Sequence, residues 1–361
     1  MKTRNNNSAL VSFEELKCFI RNILVQAGLP GDDADKVATL MARADLQGSD
    51  GHGVIRLPQY VKRIRAGGIN TKPDIKVVRE RAAMAVVDGD NAMGHLAVSY
   101  AAELAIEKAR QTGVAWVGTR RSNHAGPASL YAGMPIKHGM IGVYFAVGNA
   151  NHLPPWGGAE MLLSTNPIAI GVPAGKEAPI VLDMATTVAA YGKVKAKAKR
   201  GEMMPEGWMI DRQGRPLLDP NRADEGFLLP IGGHKGYGLA LMVGILAGRL
   251  HGAAMGRDVV DFNKDHTTPT NTGQAILAID LAAFGDPALF AAEIDSLIQD
   301  IRNSEKLPGT ERIWLPGEQS HARRLEYQRS GIPISGGVVR ELSILADELQ
   351  VEPLRGVEDT R

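Results

Sequence analysis

The chain predicts an α/β domain inserted into a helical domain that both termini build. Helical apolar periodicity fills the opening residues and returns from Pro287 onward, while the middle alternates short β-branched runs with helical stretches. Composition shifts near residues 70 and 255, which sets the expected boundaries: 1–72 and 256–361 helical, 73–255 α/β.

The elements follow in order. Ser12-Phe13-Glu14-Glu15 reads as a capping box, and Leu16, Phe19, Ile20, Ile23 and Leu24 then repeat at helical spacing until Gly28. Cys18 is expected to pack on the apolar face of this helix. A second helix runs from about Asp33 to Leu46 with Val37, Leu40 and Met41 inward, and a third from Leu57 to Ile64, closed by Gly67-Gly68. Ala85–Asp88 reads as a strand, Leu96–Ala109 as a helix ending at Gly113, and Val114–Gly118 as a strand. Ser129–His138 reads as a helix that Pro135 bends or shortens. Ile141–Val147 and Ile180–Asp183 add strands, Gly236–Leu250 is an apolar helix, and Ala275–Asp280 is a late strand.

Composition narrows the function. Lys plus Arg number 41 and Asp plus Glu 40, a net charge of +1 that draws the chain to neither nucleic acid nor anionic membrane. The one dense basic run, Lys193 to Arg200, alternates with small apolar residues and fits a solvated helix face better than a phosphate site. A single cysteine forbids an internal disulfide. No stretch reaches the roughly 18 apolar residues of a membrane span, and Met1–Asn7 lacks the apolar core of a signal peptide. A cytoplasmic protein is the expectation.

The richest segment is Ser49-Asp50-Gly51-His52-Gly53-Val54-Ile55-Arg56. On one helical turn His52 and Arg56 would share a face. Imidazole exchanges a proton near neutral pH, and guanidinium presents a fork of donors that fits a carboxylate. The pair suggests a site for a small acid with proton transfer beside its carboxylate. A helix-end histidine and a surface arginine are the plainer alternative.

Other segments carry weaker signals. Arg120–Gly126 is expected as a loop beyond a strand, with His124 either catalytic or structural. Leu182–Thr187 is expected to end a strand and open a helical turn that Asp183 caps, or Asp183 orients a neighbouring imidazole. Gly232–Gly238 starts an apolar helix where Lys235 and the amides suit a phosphate. Pro154-Pro155-Trp156-Gly157-Gly158 presents an indole as core plug or cleft wall. No zinc, calcium or serine-hydrolase motif occurs, so no metal is expected. Neither Gly51–Gly53 nor Gly236–Gly238 completes the G-x-G-x-x-G fingerprint, since Arg56 and Leu241 stand at the third position. A nicotinamide cofactor, if bound, needs a non-Rossmann fold.

Taken together these segments resemble the type-2 malate/L-lactate dehydrogenase family, which includes ureidoglycolate and sulfolactate dehydrogenases, diketogulonate reductase and the piperideine-2-carboxylate reductases. The resemblance runs from Phe13 to about Gly337. It rests on Ala44-Asp45-Leu46, His52–Arg56, Ser122-Asn123-His124, Pro155–Gly158, Thr165-Asn166-Pro167, Leu182–Thr187, Pro205–Trp208, His234–Gly238 and Leu315–Glu318. It implies a non-Rossmann NAD- or NADP-binding fold, a helical domain for dimerisation and substrate, and a homodimer acting on a small carboxylic acid.

The resemblance also implies roles. His52, His124 and Asp183 would be catalytic and Arg56 would hold the substrate carboxylate. His124, Asp183, Met184, Ala185, Lys235, Gly317 and Glu318 would line the cofactor. Many relatives carry serine immediately before the catalytic histidine; here Gly51 offers no hydroxyl, which leaves His124 a competitor to His52. The expected reaction is hydride transfer between NAD(P)H and C2 of a 2-oxo or 2-hydroxy acid. The rivals are a cyclic-imine reductase and a catalytically silent member of the family.

Overall fold

Ser12 accepts a hydrogen bond from the Glu15 amide at 3.2 Å, the cap that starts the first helix. The computed structural model describes residues 9–356, so the Met1–Asn7 segment lies outside the described residues. The opening comprises β1 (Ala9–Val11), α1 (Phe13–Gln26), α2 (Gly31–Leu46) and α3 (Leu57–Arg65). Leu16, Phe19, Ile20, Ile23 and Leu24 of α1 are all buried, as their spacing requires. Cys18 corrects its expectation: it is exposed, because it lies two residues past Leu16 and so about 200° around the helix from the apolar stripe.

The middle supplies β2 (Lys76–Arg81), β3 (Met84–Asp88), α4 (Gly94–Thr112), β4 (Val114–Ser122), α5 (Ser129–Ala132), β5 (Met140–Ala146), β6 (Ile168–Val172), β7 (Ile180–Met184) and α6 (Tyr191–Arg200). Then come β8 (Met209–Asp211), β9 (Gly226–Leu228), α7 (His234–Ala247) and β10 (Thr272–Asp280). The chain closes with α8 (Pro287–Asn303), α9 (Glu318–Ser330), β11 (Ile332–Ile334) and α10 (Gly336–Leu349). Pro135 does break the expected Ser129–His138 helix: α5 stops at Ala132 and a 3₁₀ turn takes Pro135–His138.

A seven-stranded sheet runs in the order β2-β3-β4-β10-β5-β6-β7. Only β3 and β4 are parallel, joined through α4, and every other pairing is antiparallel. This mixed sheet is not doubly wound, in agreement with the missing fingerprint. The late strand β10 lies between β4 and β5. The strand expected at Ala275–Asp280 is thus present, but it belongs to the sheet and not to the helical part that the boundary at 256 assigned it to. Buried Ala275, Ile276 and Ala278 fit a strand paired on both sides.

The opening and closing parts of the described residues meet. β1 pairs with β11, and one core joins Leu16, Ile20 and Ile23 of α1, Val37 and Met41 of α2, Leu57 of α3, and Leu342 and Leu345 of α10. A second core packs α4 against the sheet through Val98, Ala102, Ala105, Val117 and Ile276. Among the described residues no helix is long and apolar enough to cross a membrane.

Candidate active site

His52 sits on a turn, not on a helix. Its amide donates to Ser49 O at 2.8 Å, and glycine flanks it on both sides. Gly53 packs against the Asp45 carboxyl so closely that a Cβ there would collide with it. The same carboxyl accepts from Val54 N at 2.7 Å and starts a 3₁₀ turn, Val54–Arg56. The helical face expected for His52 and Arg56 is therefore corrected: two glycines and a buried Asp45 side chain hold the histidine outside the helix. Burial, against the Val54 amide and with the charge of Asp50, pushes the Asp45 carboxyl up to about 8.

The two side chains nevertheless reach one place. Arg56 folds back, with Nε donating to Gly51 O at 2.8 Å and Nη1 to Asn263 Oδ1 at 3.3 Å. A guanidinium has five donors, so among the described residues Nη2 remains uncommitted to a protein acceptor.

His124 arrives from another element. The strand β4 continues through Ser122, so Arg120 and Arg121 belong to it rather than to the loop expected there, and the loop begins at Asn123. Buried Asn123 donates to Asn91 Oδ1 and Ala92 O at 2.9 Å each, which fixes the backbone that carries His124. The His124 ring stacks on His52 with centroids 5.7 Å apart and planes 10° apart. Its Nδ1 lies 2.5 Å from the hydroxyl of fully buried Tyr60, on α3 one turn after Arg56. Phe262 closes on the same ring at 5.5 Å.

These contacts set the chemistry. Tyr60 commits Nδ1, so Nε2 is the nitrogen left for proton exchange. Burial and then the charge of Arg56 lower His52 to about 4. Burial, then His52, Arg56 and His95, hold His124 well below the ordinary imidazole range. Burial also pushes the Tyr60 phenol up, so it stays protonated. The resting site is a neutral pair of imidazoles beside one cation.

A cleft of about 1830 Å³ contains His52, Arg56, His124, Asp183, Met184, Ala185 and Gly317. Gly317 has φ +85°, and a Cβ there would stand 2.8 Å from Val181 O, so glycine lets the start of α9 approach β7. Asp183 does cap a helix, though not the expected one. The strand β7 continues to Met184 and the next helix starts only at Tyr191, so the Asp183 carboxylate accepts instead from Ser129 N at 2.8 Å, in the first turn of α5.

Lys235 and Glu318 lie outside this cleft. Lys235 is exposed on the first turn of α7, and Trp156, itself exposed, rests over Gly233 there instead of plugging a core. Glu318 is held by Arg302 at 3.0 Å and Arg312 at 2.5 Å. The basic run forms α6, with Val194 buried and Lys193 and Arg200 exposed. Tyr60, Phe262 and Asn263 escaped the sequence reading. Tyr60 had a usable signal, four residues past Arg56 on a helix; Phe262 and Asn263 had none, since they come from 200 residues away.

Fold and site define a class: a mixed α/β protein without a Rossmann unit, whose cleft holds two imidazoles beside a guanidinium. The chain belongs to the malate/L-lactate dehydrogenase family, whose model matches residues 11–343. It is 39% identical to malate dehydrogenase of Pyrococcus abyssi over 97% of this chain and 98% of that one. It is 33% identical to ureidoglycolate dehydrogenase (NAD(+)) of Escherichia coli K12 over 92% and 94%. Among solved structures, malate dehydrogenase from Pyrococcus horikoshii OT3 superposes with a TM-score of 0.89 at 35% identity, covering 98% of this chain and 99% of that one. The delta1-piperideine-2-carboxylate reductase of Pseudomonas syringae gives 0.82 at 31%, covering 93% and 99%.

Proposed function

We propose that this protein is an NAD(P)-dependent 2-hydroxyacid dehydrogenase, exchanging a hydride between C2 of a small 2-oxo or 2-hydroxy acid and a nicotinamide. The observation that carries the reading is the meeting of His52, Arg56 and His124 in one cleft from two separate stretches of backbone, the 51–56 turn and the loop after β4. The cleft fits a dinucleotide: it exceeds the roughly 300–1,000 Å³ of a drug-sized pocket. Lys137, Lys193 and Arg324 on its walls suit a pyrophosphate. When bound, the nicotinamide supplies the hydride acceptor or donor. Met184, Ala185 and Gly317 would line it, and Lys235 and Glu318 would act from outside the cleft.

Arg56 receives the substrate carboxylate on its uncommitted donors and so fixes the orientation of C2. In the tautomer whose Nδ1–H donates to the Tyr60 oxygen, Nε2 of His124 takes the hydroxyl proton in oxidation, and in reduction it returns one to the developing alkoxide. His124 suits this role because Tyr60 and Phe262 fix its ring, while His52 stacks beside it and excludes water. Carboxylate binding neutralises Arg56 and removes one of the lesser causes that depress both imidazoles, while burial, the largest, remains and keeps them neutral. Asp183 supports the cleft by capping α5.

The organisation proposed with this reaction is a helical part built from both termini and a cofactor-binding α/β part that includes β10. A homodimer in the cytoplasm completes it. Leu239, Met242 and Ile245, exposed at three-residue spacing on α7, offer an apolar stripe for a second subunit. The likeness to a piperideine-2-carboxylate reductase favours one further reading, reduction of a cyclic imine. Absorbance at 340 nm with a panel of malate, sulfolactate, ureidoglycolate and their 2-oxo forms, against cyclic imines, with NADH and NADPH, separates them. Turnover of hydroxy or oxo acids is expected, and turnover of imines alone refutes the proposal.

A further inference from the structure

Arg63 lies on α3, one turn beyond Tyr60, and its side chain is wholly buried. A cation is costly to bury, and an aliphatic side chain would fill the same volume more favourably if packing were the whole task. Its Nη1 and Nη2 donate to backbone carbonyls, Asp265 O, Thr268 O at 2.7 Å and Gly68 O at 3.3 Å, while buried Nε has no partner among the described residues. Its guanidinium carbon also stands 5.1 Å over the Phe262 ring. One planar fork thus meets three carbonyls, that of Gly68 buried and those of Asp265 and Thr268 partly so, and one aromatic face.

The segment gripped in this way leads into β10 and has its own internal brace. The Asp265 carboxylate accepts from the amides of Thr267 and Thr268 at 2.9 Å each. The carbonyl of His266 presses so closely on Gly68 that no Cβ fits there, which explains the glycine that ends the α3 turn. Gln59 Nε2 adds a bond to Phe262 O at 2.6 Å. From this segment Phe262 meets Tyr60 edge-on at 5.7 Å and His124 at 5.5 Å, and Asn263 accepts from Arg56.

We propose that Arg63 is a positioning residue for the reaction: it clamps the 261–268 segment so that Phe262 fixes the His124 ring and Asn263 fixes the Arg56 guanidinium. This rests on the roles assigned above to His124 and Arg56. The groups facing His124 are Tyr60 of α3, Arg56 of the turn before it, His52 of the glycine turn and His95 of α4; Phe262 is the apolar wall that completes this set.

The test compares Arg63→Lys, Arg63→Met and Phe262→Leu in the full-length protein. Each is assayed with the acid that the unmodified enzyme turns over. Imidazole NMR without substrate reads the His124 titration midpoint, assigned through His124→Asn. Misplacement of a reacting group by an ångström costs about 10²-fold, and Arg63→Met should lose kcat/KM on that scale with kcat and KM both affected. Arg63→Lys should recover part, since it keeps the charge without the fork. Water reaching His124 should raise its midpoint in Arg63→Met and in Phe262→Leu, with dinucleotide affinity unchanged.

A folded Arg63→Met with the unmodified kcat, KM and midpoint overturns the proposal. If Arg63→Met does not fold, Phe262→Leu decides: an unmoved midpoint overturns it. If the unmodified enzyme oxidises no hydroxy acid, the functional reading fails, and the midpoint still decides the role of Arg63.

Discussion

The two stacked histidines are the same residue in the same cleft, and their surroundings could hardly differ more. His124 follows a strand whose end is tied down by buried Asn123, with Nδ1 against Tyr60 and Phe262 across its ring. His52 stands between two glycines on a turn, and among the described residues its ring makes no hydrogen bond. Proton transfer needs a nitrogen held on the path of the proton. A supported imidazole meets that need, and an unsupported one serves as wall and electrostatic neighbour.

The strongest way to break this contrast is to remove each ring in turn. His124→Asn should lose about 10²–10⁴ in kcat, whereas His52→Asn should stay within about tenfold. Steady-state kinetics on one substrate settles the order, and equal losses would erase the distinction. Arg56→Ala removes a charged hydrogen bond worth about 1.5–3 kcal/mol, so KM should rise about 10- to 150-fold with kcat less affected. A Michaelis–Menten comparison in which kcat alone falls would move Arg56 from binding to chemistry. Tyr60→Phe sharpens the comparison from the supported side: loss of one neutral hydrogen bond, about 0.5–1.5 kcal/mol, should cost roughly 2- to 12-fold in kcat, with no such effect of changes around His52.

Acidity gives subtler tests. A base must be neutral to accept a proton, and His52 is lowered to about 4 with His124 also well below the usual range. The kcat/KM of oxidation should therefore hold as pH falls through 6.5 and drop only well below it; an acid limb at 6.5 would contradict the burial of both rings. Stability carries the smallest signal. Neutral His52 contributes stability present above its unfolded value of 6.5, lost as pH falls through about 4. Asp45 has the opposite sign: its contribution is full below 3.8 and is lost as pH rises through about 8. Between 6.5 and 8 only the Asp45 slope remains of the two, so Asp45→Asn should flatten the decline in melting temperature over that window.

Much of this was legible in the residues. The capping box at Ser12, the apolar stripe of α1 and the alternating texture of the middle gave the elements, because each is a local pattern with a local cause. The absent glycine fingerprint excluded a Rossmann unit, and the sheet order agrees. Two strands of the seven-stranded sheet went unread for opposite reasons: β2 is a charged edge strand, Lys76 to Arg81, and β6 is a short run shut between Pro167 and Pro173. His52, Arg56 and His124 were named from chemistry, yet their support was not. Tyr60, Phe262 and Arg63 matter through distances that only folding closes, and Asn263 stands 207 residues from Arg56. The helical face first expected for His52 failed because Asp45 captures the Val54 amide and starts the turn two residues late.

The most direct measurement is single-turnover hydride transfer, followed at 340 nm, in His124→Asn and His52→Asn with saturating acid and nicotinamide. Slowing of at least about 10²-fold in the first and less than about tenfold in the second is the expected result. The reverse order would contradict it, and the proton would then pass through His52, the ring that the fold leaves unsupported.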